Sequence, residues 1–235
     1  MNILEGEVLL VDKPIGWTSF DVVAKFRNVL RRYLGKQVKI GHAGTLDPLA
    51  SGLLILCTGK KTRSIEQFMG LSKTYTGTLK LGETTPSLDR ETAVSQHFPT
   101  EHITSPQVAD IFQSFLGIQQ QVPPDFSAIK KGGERSYVAA REGRSLSIDP
   151  RTIEIYAIEP TRLALPEIDF TVSCSKGTYI RSLARDIGSR LQSGAYLLDL
   201  RRSAIGTFEV SQAKTVSEWL DFFHQTLAAR EDSAV

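Results

Sequence analysis

Residues 73–82, Lys-Thr-Tyr-Thr-Gly-Thr-Leu-Lys-Leu-Gly, alternate with period two, so that Tyr75, Leu79 and Leu81 share one face and Thr and Lys occupy the other. That is the pattern of a strand with one buried face. Ile168, Phe170, Val172 and Cys174 alternate in the same way, but the apolar residues beyond them, Ile180, Leu183, Ala184, Ile187 and Leu191, recur at helical spacing. Strands and helices therefore mix with no strict β-then-α alternation. This order points to an α+β domain with a largely antiparallel sheet.

The remaining elements are read from the same signals. Glu7–Asp12 is a short buried strand leading into the turn Lys13–Ser19. Thr18 and Asp21 form a capping pair for a helix whose Val22, Phe26, Val29 and Tyr33 continue one apolar face to Gly35, a good C-terminal stop. Leu53–Cys57 reads as a buried strand, Lys61–Met69 as a short helix, and Thr104 as the start of a helix that Gly117 closes. Val122–Gly133 is an extended loop, Ser136–Arg141 a short helix and Arg151–Ile158 an alternating strand. A strand near Ile205–Val210, a helix carrying Val216, Trp219, Leu220, Phe223 and Leu227, and a short polar tail complete the chain. The organisation expected is one large domain over residues 1–210, with a C-terminal helix and tail over 211–235.

With 235 residues, 41% hydrophobic and 23% charged, the composition is that of an ordinary soluble protein. No window approaches the ~20 apolar residues of a membrane span, and the N-terminus lacks a basic region followed by an apolar one, so the expected location is the cytoplasm, with no membrane partner. Cys57 and Cys174 read as buried free thiols, and His42, His97, His102 and His224 are too scattered for a metal site. The net charge of +2 conceals segregation. Between Val22 and Leu46 the charged residues are Lys25, Arg27, Arg31, Arg32, Lys36 and Lys39, with no acid among them. Residues 128–151 and 171–206 are also basic, whereas six acids between Glu83 and Asp125 face only Arg90. Such a distribution suits a polyanion such as nucleic acid, although each run alone is also what a solvated face looks like.

Two segments carry candidate chemistry. Gly41-His-Ala-Gly-Thr-Leu-Asp-Pro-Leu-Ala-Ser-Gly52 sets a single carboxylate, Asp47, in a glycine-punctuated turn. Asp-Pro-Leu-Ala is equally how a helix begins, with Asp as N-cap and Pro in the first turn, and the two readings are compatible. Lys176-Gly-Thr-Tyr-Ile-Arg181 is a glycine turn before a helix that Thr178 could cap, and Arg181 there could pair with a carboxylate or phosphate. Other motifs fail. Gly52 and Gly59 are separated by six residues where a P-loop needs four, and no Gly-x-Ser-x-Gly motif occurs.

Taken together, five segments resemble, in order, the TruB family of bacterial tRNA pseudouridine synthases. They are Leu10–Ser19, Gly41–Gly52, Lys73-Thr-Tyr75 with Leu81-Gly82, Val122–Lys130, and Cys174–Arg181 with Leu200-Arg-Arg202. The second and fifth are very specific. The resemblance implies a pseudouridine synthase fold, a mixed and largely antiparallel sheet flanked by helices with a central RNA-binding cleft. It implies isomerisation of the T-loop uridine at tRNA position 55 by base flipping, with Asp47 as the essential aspartate and Arg181 paired with it. Tyr75 would stack on the flipped uracil and assist deprotonation at C5, Tyr179 and Leu200 would line the pocket, and His42 would act in RNA binding and base extrusion. Asp89 resembles a second acid supporting the site, and Lys13, Lys130, Lys176 and Arg202, in the matching segments, are expected to contact RNA. Ala43 and Asp125-Phe126 depart from the family pattern, which usually has Thr at the first and Tyr or Met-Tyr at the second. No C-terminal PUA domain is expected, nor a metal or cofactor; the partner is the tRNA T-arm and the protein a monomer. The rival readings are a non-catalytic RNA-binding or RNA-folding protein and a related synthase acting on another RNA.

Overall fold

The computed structural model describes residues 2–231, with side chains through residue 226; the expected polar tail from 232 and the side chain of Leu227 lie outside the described residues. In chain order the principal elements are β1 (Val8–Lys13), α1 (Ser19–Leu34), β2 (Ile40–His42), β3 (Ala50–Thr58), α2 (Ile65–Gly70), β4 (Lys73–Leu81), α3 (Ser105–Gln113), β5 (Gly117–Gln121), α4 (Ser136–Arg141), β6 (Arg151–Ala164), β7 (Glu167–Cys174), α5 (Ile180–Arg190), β8 (Ala195–Ile205) and α6 (Val216–Glu231). They form two compact units, residues 1–74 with 201–235, and residues 75–200. Strands β4 and β8 each run from one unit into the other.

In the discontinuous unit, β1 pairs antiparallel with β3, Val8 opposite Cys57 and Lys13 opposite Gly52. β2 also pairs antiparallel with β3, and the short strand Lys214–Thr215 runs parallel to β1. The core on one side of these strands joins Leu9, Val11, Leu54 and Leu56 to Val22, Phe26 and Leu30 of α1 and to Val216, Trp219 and Phe223 of α6. Burying such side chains contributes about 1.5–3 kcal/mol each. α6 is therefore part of this core, and its Trp219 indole N–H donates to the Leu10 carbonyl at 2.8 Å. α1 begins as its sequence predicts. Thr18 Oγ1 accepts from the Asp21 N–H at 3.0 Å, Asp21 accepts from the Thr18 N–H at 2.8 Å, and Gly35 ends the helix at φ 64°.

In the contiguous unit, β7 pairs antiparallel with β6, and β6 with β5. β4 has the expected alternation, burying Lys73, Tyr75, Gly77, Leu79 and Leu81. Phe112 of α3 packs on Phe170 of β7 with ring centroids 6.4 Å apart. Helices and mixed, mainly antiparallel strands thus confirm the α+β class.

Several boundaries differ from expectation. Gly117 does not close α3, which ends at Gln113; at φ 84° it turns the chain into β5. The expected helix at Lys61–Met69 is a 3₁₀ segment, Gly59–Ser64, that runs into α2. The last long strand starts at Ala195, ten residues before the start expected near Ile205, because its first half is buried and reads as a continuous apolar run.

At Gly52 (φ 104°) an added Cβ would lie 2.3 Å from the Arg202 carbonyl oxygen. Gly52→Ala should therefore destabilise the fold by about 3 kcal/mol or more; urea unfolding measures it, and a loss under about 1 kcal/mol would show that β3 and β8 can separate freely there.

Candidate active site

Asp47 does not cap a helix. Its carbonyl accepts from the Ala50 N–H at 3.1 Å, so Asp47-Pro48-Leu49-Ala50 is a β-turn with proline in its preferred second position, feeding directly into β3. The sequence signal is ambiguous because an N-cap and the first residue of such a turn favour the same residue type, and proline's fixed φ suits the position after either.

Four sets of hydrogen bonds hold this turn. The Gly16 N–H donates to the Pro48 carbonyl at 2.7 Å, and the Ala43 N–H to the Ile55 carbonyl at 2.9 Å. Ser19, 1% exposed, uses one hydroxyl twice: Oγ accepts from the Leu46 N–H at 2.9 Å and donates to the Leu46 carbonyl at 3.3 Å. Arg202, also 1% exposed, donates from Nε to the Leu53 carbonyl at 2.8 Å, from Nη2 to Gly44 at 3.1 Å and from Nη1 to Thr45 at 3.4 Å. The residue bearing the carboxylate is thus fixed from the residue before it, the residue after it and both flanking strands.

Lys13 is fully buried, and its Nζ donates to the carbonyls of Pro14 at 2.9 Å and Trp17 at 2.6 Å. Burial lowers its pKa to about 8, the Asp47 carboxylate opposing this and the Arg202 charge adding to it. Lys13 and Arg202, both expected to contact RNA, are thus buried side chains that donate to backbone carbonyls. His42, at the end of β2, is partly buried; burial first, and the Arg202 charge next, hold its pKa below the usual value, so the ring is neutral at pH 7. Its Nδ1 is buried with no hydrogen-bond partner among the described residues.

The contiguous unit has its own cluster. Arg181, in the first turn of α5 and 5% exposed, donates from Nη1 to the Ser87 carbonyl and from Nη2 to the Phe126 carbonyl, both at 2.9 Å. Its Nε lies 3.6 Å from Asp89, which is 6% exposed and also accepts from the Glu91 N–H at 2.9 Å. The structure therefore brings Asp89 and Arg181 together. Thr178 does not cap α5; its hydroxyl donates to the Ser175 carbonyl at 3.0 Å. Tyr179 is the N-cap, and Gln121 brackets it, accepting from its N–H at 2.8 Å and donating to its carbonyl at 3.1 Å. Tyr75 and Leu200 are buried at 8% and 7% exposure. Gly77, next on the Tyr75 face, has Leu200 and Phe170 against the position of a Cβ, at 3.4 and 3.1 Å. Lys130 and Lys176 are exposed.

Sequence reasoning passes over Ser19 and Gln121. Ser19 is visible only as a residue of the Trp-Thr-Ser turn, and Gln121 ends a run of three glutamines whose burial depends on strand pairing; no local pattern marks either.

The fold is that of the pseudouridine synthases. Solved structures similar to this chain are an H/ACA ribonucleoprotein bound to a substrate RNA containing 2′-deoxyuridine, at 26% identity and TM-score 0.70 over 98% of this chain, and a Cbf5–Nop10–Gar1 complex, at 29% identity and TM-score 0.72 over 95%. The chain spans 56% of the length of each matched chain. The model of the TruB family pseudouridylate synthase N-terminal domain matches residues 31–180. Tyr75, Asp89 and the Asp47 turn all fall within that span, and the chain belongs to the TruB family. Relatives named tRNA pseudouridine synthase B include one from Flavobacterium johnsoniae, 54% identical over 89% of this chain and 93% of that protein, and one from Parabacteroides distasonis, 47% identical over 99% of both. Among the described residues no helix is long and apolar enough to cross a membrane, and no group of three His, Cys, Asp or Glu could hold a metal ion.

Ser19→Ala removes both bonds to Leu46 while leaving the helix cap at Thr18 intact. Stability should fall by about 1–2 kcal/mol and turnover by more than that loss of folded protein explains; unchanged turnover at full folding would show that the turn holds without Ser19.

Proposed function

We propose that this chain isomerises uridine to pseudouridine in tRNA, at position 55 of the T loop, in the cytoplasm and as a monomer. The observation that carries this reading is the posture of Asp47: a half-buried residue in a turn where Leu46 is bonded to the buried Ser19, Gly44 and Thr45 to the buried Arg202, and Pro48 to the Gly16 N–H. Such rigidity is what a group reacting at one atom of a bound base requires. The names of relatives that match nearly the whole chain support the substrate class.

The reaction breaks the bond between N1 and the ribose and forms one from C5 to the same carbon; C5 loses a proton and N1 ends with one. Atoms and oxidation state are conserved, so the chemistry itself calls for no redox cofactor. In a folded T loop, C5 is not free to reach the sugar, so the base must leave the stack and rotate. In this reading Asp47 is the essential group and Arg181 its partner. Asp89 and the carbonyls of Ser87 and Phe126 aim that guanidinium. Tyr75 stacks on the flipped uracil and assists at C5, Tyr179 and Leu200 complete the pocket, and neutral His42 aids extrusion. Lys130 and Lys176 meet phosphates, whose contribution is salt-dependent. The catalytic region is assigned to residues 1–210, with 211–235 supporting it.

The test is release of tritium from C5 of the uridine in a T-arm stem-loop. The wild-type chain should release it from that one position. Asp47→Asn should bind the stem-loop and release nothing, and substantial release by that variant sinks the assignment. Arg181→Lys should lose about 100-fold in turnover, since a point charge does not reproduce the guanidinium fork; near-normal turnover would exclude the pairing with Asp47.

A further inference from the structure

Much of this protein's surface charge is paired. Lys60 lies 2.6 Å from Glu5, Lys80 2.9 Å from Glu83, Arg141 2.8 Å from Glu91, and Arg144 2.6 Å from Glu134. α1 and the loop after it break that habit. Lys25, Arg31, Arg32, Lys36 and Lys39 are exposed, and none has a carboxylate within 4.0 Å among the described residues. Five unpaired cations on one helix and its exit repel one another and weaken an isolated fold, which makes a polyanion outside the chain the natural counter-charge.

The same face is concave. Lys25, Asn28, Arg32 and Tyr33 of α1 and Leu220 and His224 of α6 line a groove of about 270 Å³, with no acid in its wall among the described residues. Two of its residues are held together: the Tyr33 and His224 rings meet edge to face, centroids 5.2 Å apart, and the Tyr33 hydroxyl is hydrogen-bonded to His224 Nδ1. Lys25, Asn28 and Arg32 line it at helical spacing, one residue per turn. Donors of this kind, two cations and an amide beside two aromatic rings, suit a sugar–phosphate backbone.

α1 leads away from the Asp47 turn. Its first residue, Ser19, is bonded to Leu46 beside Asp47. At ~1.5 Å per residue, Lys25 lies about 9 Å and Arg32 about 20 Å farther along the helix axis from that contact. The charge thus runs away from the reacting base rather than around it.

We infer that the α1–α6 groove and the basic face of α1 form a second RNA-binding surface, which holds the backbone of the tRNA outside the T-arm. The inference rests on the tRNA assignment above. On this account the target loop is bound at the Asp47 turn and the remainder of the tRNA is bound by α1, so both surfaces act on the full molecule and only the first is available to an isolated stem-loop.

The test compares two substrates, full-length tRNA and its isolated T-arm stem-loop, with the wild-type chain and the triple variant Lys25→Gln, Arg32→Gln and Lys36→Gln. All three side chains are exposed, and thermal unfolding verifies that the variant folds. The expected result is a rise of about tenfold or more in KM for full-length tRNA, with kcat unchanged and the stem-loop unaffected. The slope of log affinity against log salt should become shallower for the tRNA only, by about one unit per phosphate no longer neutralised. Tyr33→Phe with His224→Ala, which removes the contact between the two rings while keeping every lysine and arginine, should shift KM in the same direction. Equal losses on both substrates would overturn the inference by placing this face at the target loop, and no loss on either would overturn it by showing a solvated face. Failure of the wild-type chain to modify either substrate would instead refute the assignment of function.

Discussion

The guanidinium of Arg202 is a buried positive charge with three backbone carbonyls as partners and no carboxylate within 4.0 Å among the described residues. Burying such a charge is costly unless its donors are satisfied. Here each donor is used to fix a different point of the segment carrying Asp47, so the cost of burial is offset by contacts that also set the geometry of the site. The close approach that allows this depends on Gly52, whose missing side chain lets the backbone of β3 meet that of Arg202. The depressed basicity of Lys13 belongs to the same arrangement: two cations cannot both be comfortable in one dry region, and the lysine is the one able to lose its proton.

The contiguous unit uses the same device with different residues. Arg181 and Gln121 are buried polar side chains directed at backbone groups of remote segments, Ser87 and Phe126 in one case and both ends of the Tyr179 residue in the other. Asp89 supplies the charge that Arg202 lacks. In both units the side chains that hold Asp47, Tyr179 and Arg181 in place come from elsewhere in the sequence. Hydrogen bonds of this type contribute about 1 kcal/mol each to stability, and they also restrict the conformations open to the backbone around Asp47 and Tyr179.

Local patterns reveal the elements whose hydrophobic period is clean. β4 alternates as its sequence predicts, and α1 starts at the Thr18 capping box and stops at Gly35, because both signals lie within a few residues of the structure they determine. Asp47 and Arg181 stand out through motif resemblance, not through any period. The features hidden from the sequence are long-range. Nothing near Ser19 shows that its hydroxyl is committed to Leu46, and the burial of Lys13 and Arg202 emerges only once β1 and β8 lie against β3. The local chemistry of the Asp-Pro step suits a helix start and a β-turn equally, and the strand after it decides between them.

The discontinuous unit has a consequence for synthesis on the ribosome. Residues 75–200 are contiguous and close upon themselves, whereas the Asp47 turn is completed by an arginine 149 positions beyond Leu53, and α1 is covered by a helix near the C-terminus. Chains emerge from their N-terminus at about 5–20 residues per second, so the exposed apolar residues of the first third wait about ten seconds for a partner still being made. That third is translated without the side chain that holds the Asp47 turn. The whole of the insert, residues 75–200, leaves the ribosome before Arg202 does, so the bonds from Arg202 to Gly44, Thr45 and Leu53 can form only after the insert has been made.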